Sequence, residues 1–181
     1  MASKILDDKL IAKIRLIRLL VLDVDGVMTD GRIIMDYAGR EIKNFDVKDG
    51  HGIKVLMRYG IDVILVTGRR SDVVEHRARD LGISEVHQGV TNKLEIGDTI
   101  LRNRSLNYEH IAFIGDDIVD IPLLRRVGFS AAVADAAEDV RKCVDYVTIR
   151  KGGRGAVREV CEVILKAKGE WTDVAKRYEF P

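Results

Sequence analysis

The 181 residues include only two cysteines, two prolines and one tryptophan. Cys143 and Cys161 have no metal-ligand spacing and cannot form a disulfide framework, so reduced thiols in a cytosolic protein are the expectation. There is no Pro/Ser-rich linker, low-complexity segment or internal repeat, so one domain spanning 1–181 is expected. Neither sign of charge is in excess: 30 Lys and Arg face 29 Asp and Glu, for a net charge of +1. Such a chain has no bulk field to attract nucleic acid or an anionic membrane, and must hold any anion locally. No apolar run approaches the ~20 residues a transmembrane helix requires. The N-terminal stretch mixes Lys4, Asp7, Asp8, Lys9, Lys13 and Arg15 with apolar residues and has no signal-peptide core. These absences lead to the expectation of a cytoplasmic protein with no nucleic-acid or membrane partner, a picture that a small phosphorylated metabolite fits better than a polyanion does.

The chain is 46% hydrophobic, enough for one substantial core. Residues 6–16 read as a short amphipathic helix. The run Arg18 to Val24 (RLLVLDV) has the dense branched-apolar character of a strand buried on both faces. Similar runs recur at 62–66, 111–114, 130–134 and 146–149. Helical patterns fill the gaps, at 52–59, 71–81, 93–103, 118–127, 136–143 and 155–167. Strands alternating with helices predict an α/β fold, a doubly wound parallel sheet. One segment interrupts the alternation: 31–46 reads as an inserted β-hairpin turning at Asp36–Gly39. The tail, 170–181, is polar with scattered aromatics and has no assignable shape.

Ligands of open parallel sheets sit outside the carboxyl ends of the strands. The first run ends in Asp23-Val24-Asp25-Gly26, the second in Thr67-Gly68-Arg69, and the 111–114 run in Gly115-Asp116-Asp117, with Asp120 one turn further on. Lys93 opens the helix that precedes this last run. Crowded carboxylates raise one another's pKa unless a cation compensates, and Mg²⁺ suits one or two carboxylates plus a phosphate oxygen. Asp23 and Asp116 are the expected ligands, with Asp117 and Asp120 as further or outer oxygens. Lys93 would balance the remaining charge and hold a phosphate. Asp23, ionised, can attack phosphorus, and Asp25 can protonate the leaving oxygen and later deprotonate water. The Thr67 hydroxyl and Gly68 amide are suitable donors to phosphate oxygens. Each motif alone is weak; their order after successive strands carries the weight.

DVDGVMTDG, VTGR, Asn92-Lys93 and GDDIVD resemble the four motifs of the haloacid dehalogenase superfamily, whose phosphatases use an aspartyl-phosphate intermediate. The stretches FDVKDGHGIK, EHRARDLGI and KGGRGAVREVCEVIL are similar to the 3-deoxy-D-manno-octulosonate 8-phosphate phosphatases of lipopolysaccharide sugar synthesis. The resemblance spans all but the first dozen residues and the tail. It implies that Asp23 is nucleophile and Mg²⁺ ligand, that Asp25 is acid/base and gives the metal its backbone carbonyl, and that Asp116 is the other ligand. It also implies substrate contacts from Asp46, Val47, Lys48, Asp49, Gly50, Lys54, Arg69, Arg77 and Lys93. Taken alone, Lys54 and Arg77 would read as a solvated helix face.

The resemblance further implies a capless enzyme and a homotetramer whose hairpins pack together. Ile33, Ile34, Met35, Ile42 and Phe45 support this independently, since a small apolar hairpin without its own core seeks a partner surface. The family's tail can cover a neighbour's site; here 170–181 leaves that open. Gly152-Gly153-Arg154-Gly155 lacks the ending of a P-loop and reads as a helix entry near substrate. Of four histidines, only His51 is expected to border the site. A phosphatase for a nine-carbon sialic-type 9-phosphate would share every catalytic residue. A phospho-receiver signalling domain would need an Asp where Thr67 stands.

Overall fold

Four consecutive apolar side chains at 19–22 leave no polar face, so this stretch folds only where both sides are covered, and all four residues are buried. The computed structural model describes residues 6–181, and Lys4 of the charged N-terminal stretch lies outside them. In chain order the elements are α1 (Asp8–Arg15), β1 (Leu19–Leu22), β2 (Ile34–Met35), β3 (Glu41–Ile42), α2 (Val47–Arg58), β4 (Asp62–Thr67), α3 (Asp72–Leu81) and β5 (Glu85–Gln88). There follow α4 (Lys93–Arg104), β6 (Ile111–Gly115), α5 (Ile121–Leu124), β7 (Phe129–Ala132), α6 (Glu138–Lys142), β8 (Tyr146–Val147), α7 (Ala156–Ala167) and α8 (Trp171–Tyr178).

The main sheet has the order β5-β4-β1-β6-β7-β8 with every pairing parallel. Leu19 is in register with Asp62 on one side and Ile111 on the other. From β1 the chain steps outward to β4 and β5, then returns to the far side of β1 as β6 before stepping to β7. The direction reverses between β1 and β6, which is where such sheets place ligands. Phe113, Phe129, Leu20, Leu22, Ile64 and Leu65 form the middle of the core. Among the described residues no helix is long and apolar enough to cross a membrane.

Four elements differ from the sequence expectation. The edge strand β5 (EVHQ) is half-buried and polar, so it carries no apolar run. The α2 helix begins five residues before Gly52, because Asp46 caps it by accepting the Lys48 N–H at 2.6 Å. The shapeless tail is in fact α8, which packs on α7, with Trp171 against Phe180 at 5.8 Å. The segment 118–127 also splits, into a 3₁₀ turn and the short α5, where Pro122 lacks a backbone donor. The hairpin is real but short: Ile34 pairs with Ile42 and Met35 with Glu41.

Candidate active site

Asp23 follows the last residue of β1, and its N–H donates to the Ile114 carbonyl of β6 at 3.1 Å, which ties the two strand ends together. Asp116 follows β6 and lies against the backbone of Gly26. A side chain at Gly26 would overlap the Asp116 carboxylate, and its φ of +92° favours glycine in any case. Asn92 caps α4, accepting from the Leu94 and Glu95 N–H groups, and so sets Lys93 at the first helical position. The Lys93 ammonium donates to Asp23 Oδ1 at 2.9 Å and to Asp120 Oδ1 at 2.5 Å. Asp120 is completely buried, and its Oδ2 accepts the Asp116 and Asp117 N–H groups at 3.0 and 3.2 Å.

One carboxylate oxygen from each of Asp23, Asp116 and Asp120 lies within 4.8 Å of the other two. Three carboxylates against one ammonium leave this buried pocket short of positive charge. Burial, with Asp23 and Asp120 nearby, pushes Asp116 up to about 8. Burial also raises Asp23 to about 6, although Lys93 works against the shift. Asp116 Oδ1 is buried without a hydrogen-bond partner. An orphaned acidic oxygen among hard donors fits a divalent cation such as Mg²⁺. Asp120 spends its oxygens on Lys93 and two backbone amides, so it suits holding the lysine and the turn better than binding an ion. Asp117 caps the 3₁₀ turn through the Ile118 N–H and does not join the acidic trio.

Asp25 lies two residues beyond Asp23 and is held from the hairpin. Its Oδ1 accepts from Lys43, whose ammonium also meets Glu41 Oε1 at 3.1 Å. Arg69 bridges the same pair, reaching Glu41 at 3.0 Å and Asp25 at 3.7 Å. The nearby Ser71 hydroxyl, with the Lys43 and Arg69 donors, holds the Glu41 carboxyl below its usual range. Sequence reasoning missed both hairpin charges by scoring only apolar residues there. The signal was the spacing, since positions 41 and 43 of a strand share a face. Thr67 is buried at the end of β4, and the Arg69 N–H points at its hydroxyl at 3.5 Å.

The other expected contacts form a second patch. Val47, Lys48 and Lys54 are exposed on the first turns of α2. Asp49 is buried and accepts the Gly155 and Arg158 N–H groups at 3.2 and 2.7 Å, so it ties α2 to α7. Gly50 gives room to the Arg77 guanidinium, which lies 5.5 Å over the Phe45 ring. Among the described residues no hydrogen bond or ion pair joins this patch to Asp23, Asp25 or Asp116. A cavity of about 360 Å³, lined by Asp30, Phe45, Asp46, Lys48, Gly153 and Arg154, borders both the patch and the loop after β1. His51 packs edge-on against Tyr178 of α8 at 5.5 Å. Gly152 and Gly153 pack against the carbonyl of Gly26 and the backbone of Thr29, and Gly153 N–H donates to the Val27 carbonyl at 2.9 Å. That glycine pair braces the loop carrying Asp25.

A doubly wound sheet with acids at its switch point and a lysine one strand away is the arrangement of a haloacid dehalogenase-like hydrolase, and the family model of that description matches residues 80–159. The 3-deoxy-D-manno-octulosonate 8-phosphate phosphatase of Escherichia coli K12 is 47% identical over 160 residues, 88% of this chain and 85% of that protein. The crystal structure of the Yersinia pestis enzyme of the same name has 47% identity and a TM-score of 0.88, covering 90% of this chain and 88% of that one. The Moraxella catarrhalis enzyme, solved with magnesium, phosphate and a KDO molecule, has 39% identity and a TM-score of 0.92 over 94% and 98% of the two chains. The chain belongs to the 3-deoxy-D-manno-octulosonate 8-phosphate phosphatase family.

Proposed function

We propose that this single-domain enzyme hydrolyses 3-deoxy-D-manno-octulosonate 8-phosphate to the free sugar acid and phosphate, with Mg²⁺ bound by Asp23, Asp116 and the Asp25 carbonyl. The observation carrying the reading is the buried meeting of Asp23, Asp116, Asp120 and Lys93 at the sheet's switch point. The magnesium-, phosphate- and KDO-bound relative supports the substrate class. Bound Mg²⁺ offsets the acidic charge and polarises the phosphoryl oxygens.

An Asp23 oxygen attacks phosphorus as the bond to the sugar oxygen breaks, and Asp25 gives that oxygen its proton. The product on the chain is an aspartyl phosphate at Asp23. Water then attacks the same phosphorus, Asp25 takes its proton, and the bond to Asp23 breaks to release phosphate. Lys93, the Thr67 hydroxyl and the Gly68 amide donate to the phosphoryl oxygens, and cost no reorganisation because the fold holds them in place. Arg69, Lys48, Lys54 and Arg77 offer charge for the substrate's carboxylate, with Asp46 and Gly50 shaping the turn that presents Lys48. Asp49 acts by fixing that turn to α7.

The same reading expects a cytoplasmic homotetramer built through the hairpin. Ile33 and Met35 are more than half exposed and Tyr37 is fully so, on two-residue strands that bury little. The deciding experiment measures phosphate release, with and without Mg²⁺, from the eight-carbon 8-phosphate and from a nine-carbon sialic-type 9-phosphate. A larger kcat/KM for the first supports the reading; preference for the second replaces the substrate and keeps the chemistry.

A further inference from the structure

Along β3 and the residue after it the chain turns Ile42 outward and Glu41 and Lys43 inward, and the Lys43 side chain is only 2% exposed. Its ammonium meets one oxygen each of Asp25 and Glu41. Arg69 closes the ring by pairing with Glu41 at 3.0 Å and approaching Asp25 at 3.7 Å. Tethering a hairpin needs none of this. An apolar residue as long as lysine would bury as much surface without the desolvation penalty of an ion. The Asp25 carboxylate also has an asymmetry: Oδ1 accepts from Lys43, while Oδ2 is buried with no hydrogen-bond partner. Oδ1 is fixed by that bond, whereas Oδ2 makes no hydrogen bond and has the Arg69 Nε beside it at 3.7 Å.

We propose that Lys43 is a positioning residue for the known reaction: by holding Asp25 Oδ1, it aims Oδ2 at the leaving oxygen. The inference rests on Asp25 being the proton donor and acceptor. As the phosphorus–oxygen bond breaks, the proton passes from Asp25 Oδ2 to the departing sugar oxygen, and the same oxygen later takes a proton from water. Glu41 and Arg69 fix Lys43 in turn. The inserted hairpin therefore sets the geometry of the proton transfer from outside the main sheet.

The test is kcat/KM for phosphate esters of differing leaving group, from p-nitrophenyl phosphate to an alkyl sugar phosphate. Nitrophenolate departs without a proton, whereas an alkoxide does not. Lys43→Met is expected to lower kcat/KM about 100-fold for the sugar phosphate and less than about 5-fold for p-nitrophenyl phosphate. Asp25→Asn should show the same contrast more strongly, and Lys43→Met in its background should add nothing further. Lys43→Arg, which keeps a charged donor, should restore most of the sugar-phosphate rate. If Lys43→Met lowers the melting temperature so far that it is unfolded at assay temperature, Lys43→Gln against Lys43→Arg carries the same comparison. Equal losses across the esters, or multiplied losses in the double variant, overturn the role of Lys43 while the Asp25→Asn contrast stands. An Asp25→Asn variant without that contrast overturns the reading of Asp25 itself.

Discussion

The Lys93 ammonium reaches Asp23 Oδ1 at 2.9 Å from the first turn of α4, a helix that follows the far edge of the sheet. Seventy positions separate the two residues, and a strand order that doubles back past β1 brings them together. The contact fixes one oxygen of Asp23 and leaves the other for chemistry.

Asp23→Asn should reduce turnover by at least about 10⁴-fold, as loss of a nucleophile does elsewhere. The fold should survive, because the amide removes a buried charge that burial already disfavours. Steady-state assay and thermal melting of one preparation check both halves. Activity within tenfold of the parent would remove Asp23 from the nucleophile position.

Mg²⁺ affinity should rise with pH. Without the ion, Asp116 is raised to about 8 and Asp23 to about 6, first by burial, so below those values the site holds protons that the ion must expel. Titration calorimetry at pH 6, 7 and 8, in buffers of different ionisation heat, should show tightening and proton release. The sign for stability follows. Folded pKa values above the unfolded ones contribute stability in full below the ordinary carboxylate range, and lose it as pH rises toward 8. The metal-free protein should therefore melt lower at pH 8 than at pH 5, and Mg²⁺ should restore the difference at pH 8.

Asp120→Ala should cost about 3 kcal/mol, the lower end for breaking a buried pair, because Lys93 keeps Asp23 as a partner. Two backbone amides lose their acceptor in the same change. Denaturant unfolding measures the loss, which an unchanged midpoint would refute. Asp120→Asn keeps an acceptor for those amides and should recover part of it.

Ile33→Asp combined with Met35→Asp should shift the protein from the proposed tetramer to smaller species at micromolar concentration. Both positions are more than half exposed, so each subunit's fold should change little, by about 0.5 kcal/mol or less. Sedimentation velocity reads the result. A parent protein that sediments as a monomer would refute the assembly.

How much the sequence revealed depended on whether a residue's task was local. The runs at 19–22, 63–67 and 111–115 are buried throughout and could be read as strands without any partner in view. The acids at their ends followed from strand position alone. Strand β5 escaped notice because an edge strand with polar residues has no periodic signal. Helix α8 escaped because its hold on the domain comes from distant groups, such as Arg58, which donates to the Tyr178 hydroxyl at 3.0 Å. The resemblance gave Asp49 as a substrate contact; its hydrogen-bond partners, invisible in the sequence, lie more than a hundred residues away at the start of α7. The contact of His51 with Tyr178 was invisible for the same reason, since the two are neighbours only in space.

The bracing of the loop at Gly26 and Thr29 by Gly152 and Gly153 bears on how the enzyme matures during synthesis. A nascent chain that has emerged only as far as Asp120 already carries every reacting group, but the bend presenting Asp25 has nothing behind it. On the proposed mechanism competence would arrive late, once the segment around Gly152 and Gly153 settles against the loop after β1. A truncation ending before Gly152 would keep all the chemistry-bearing residues and still be catalytically silent.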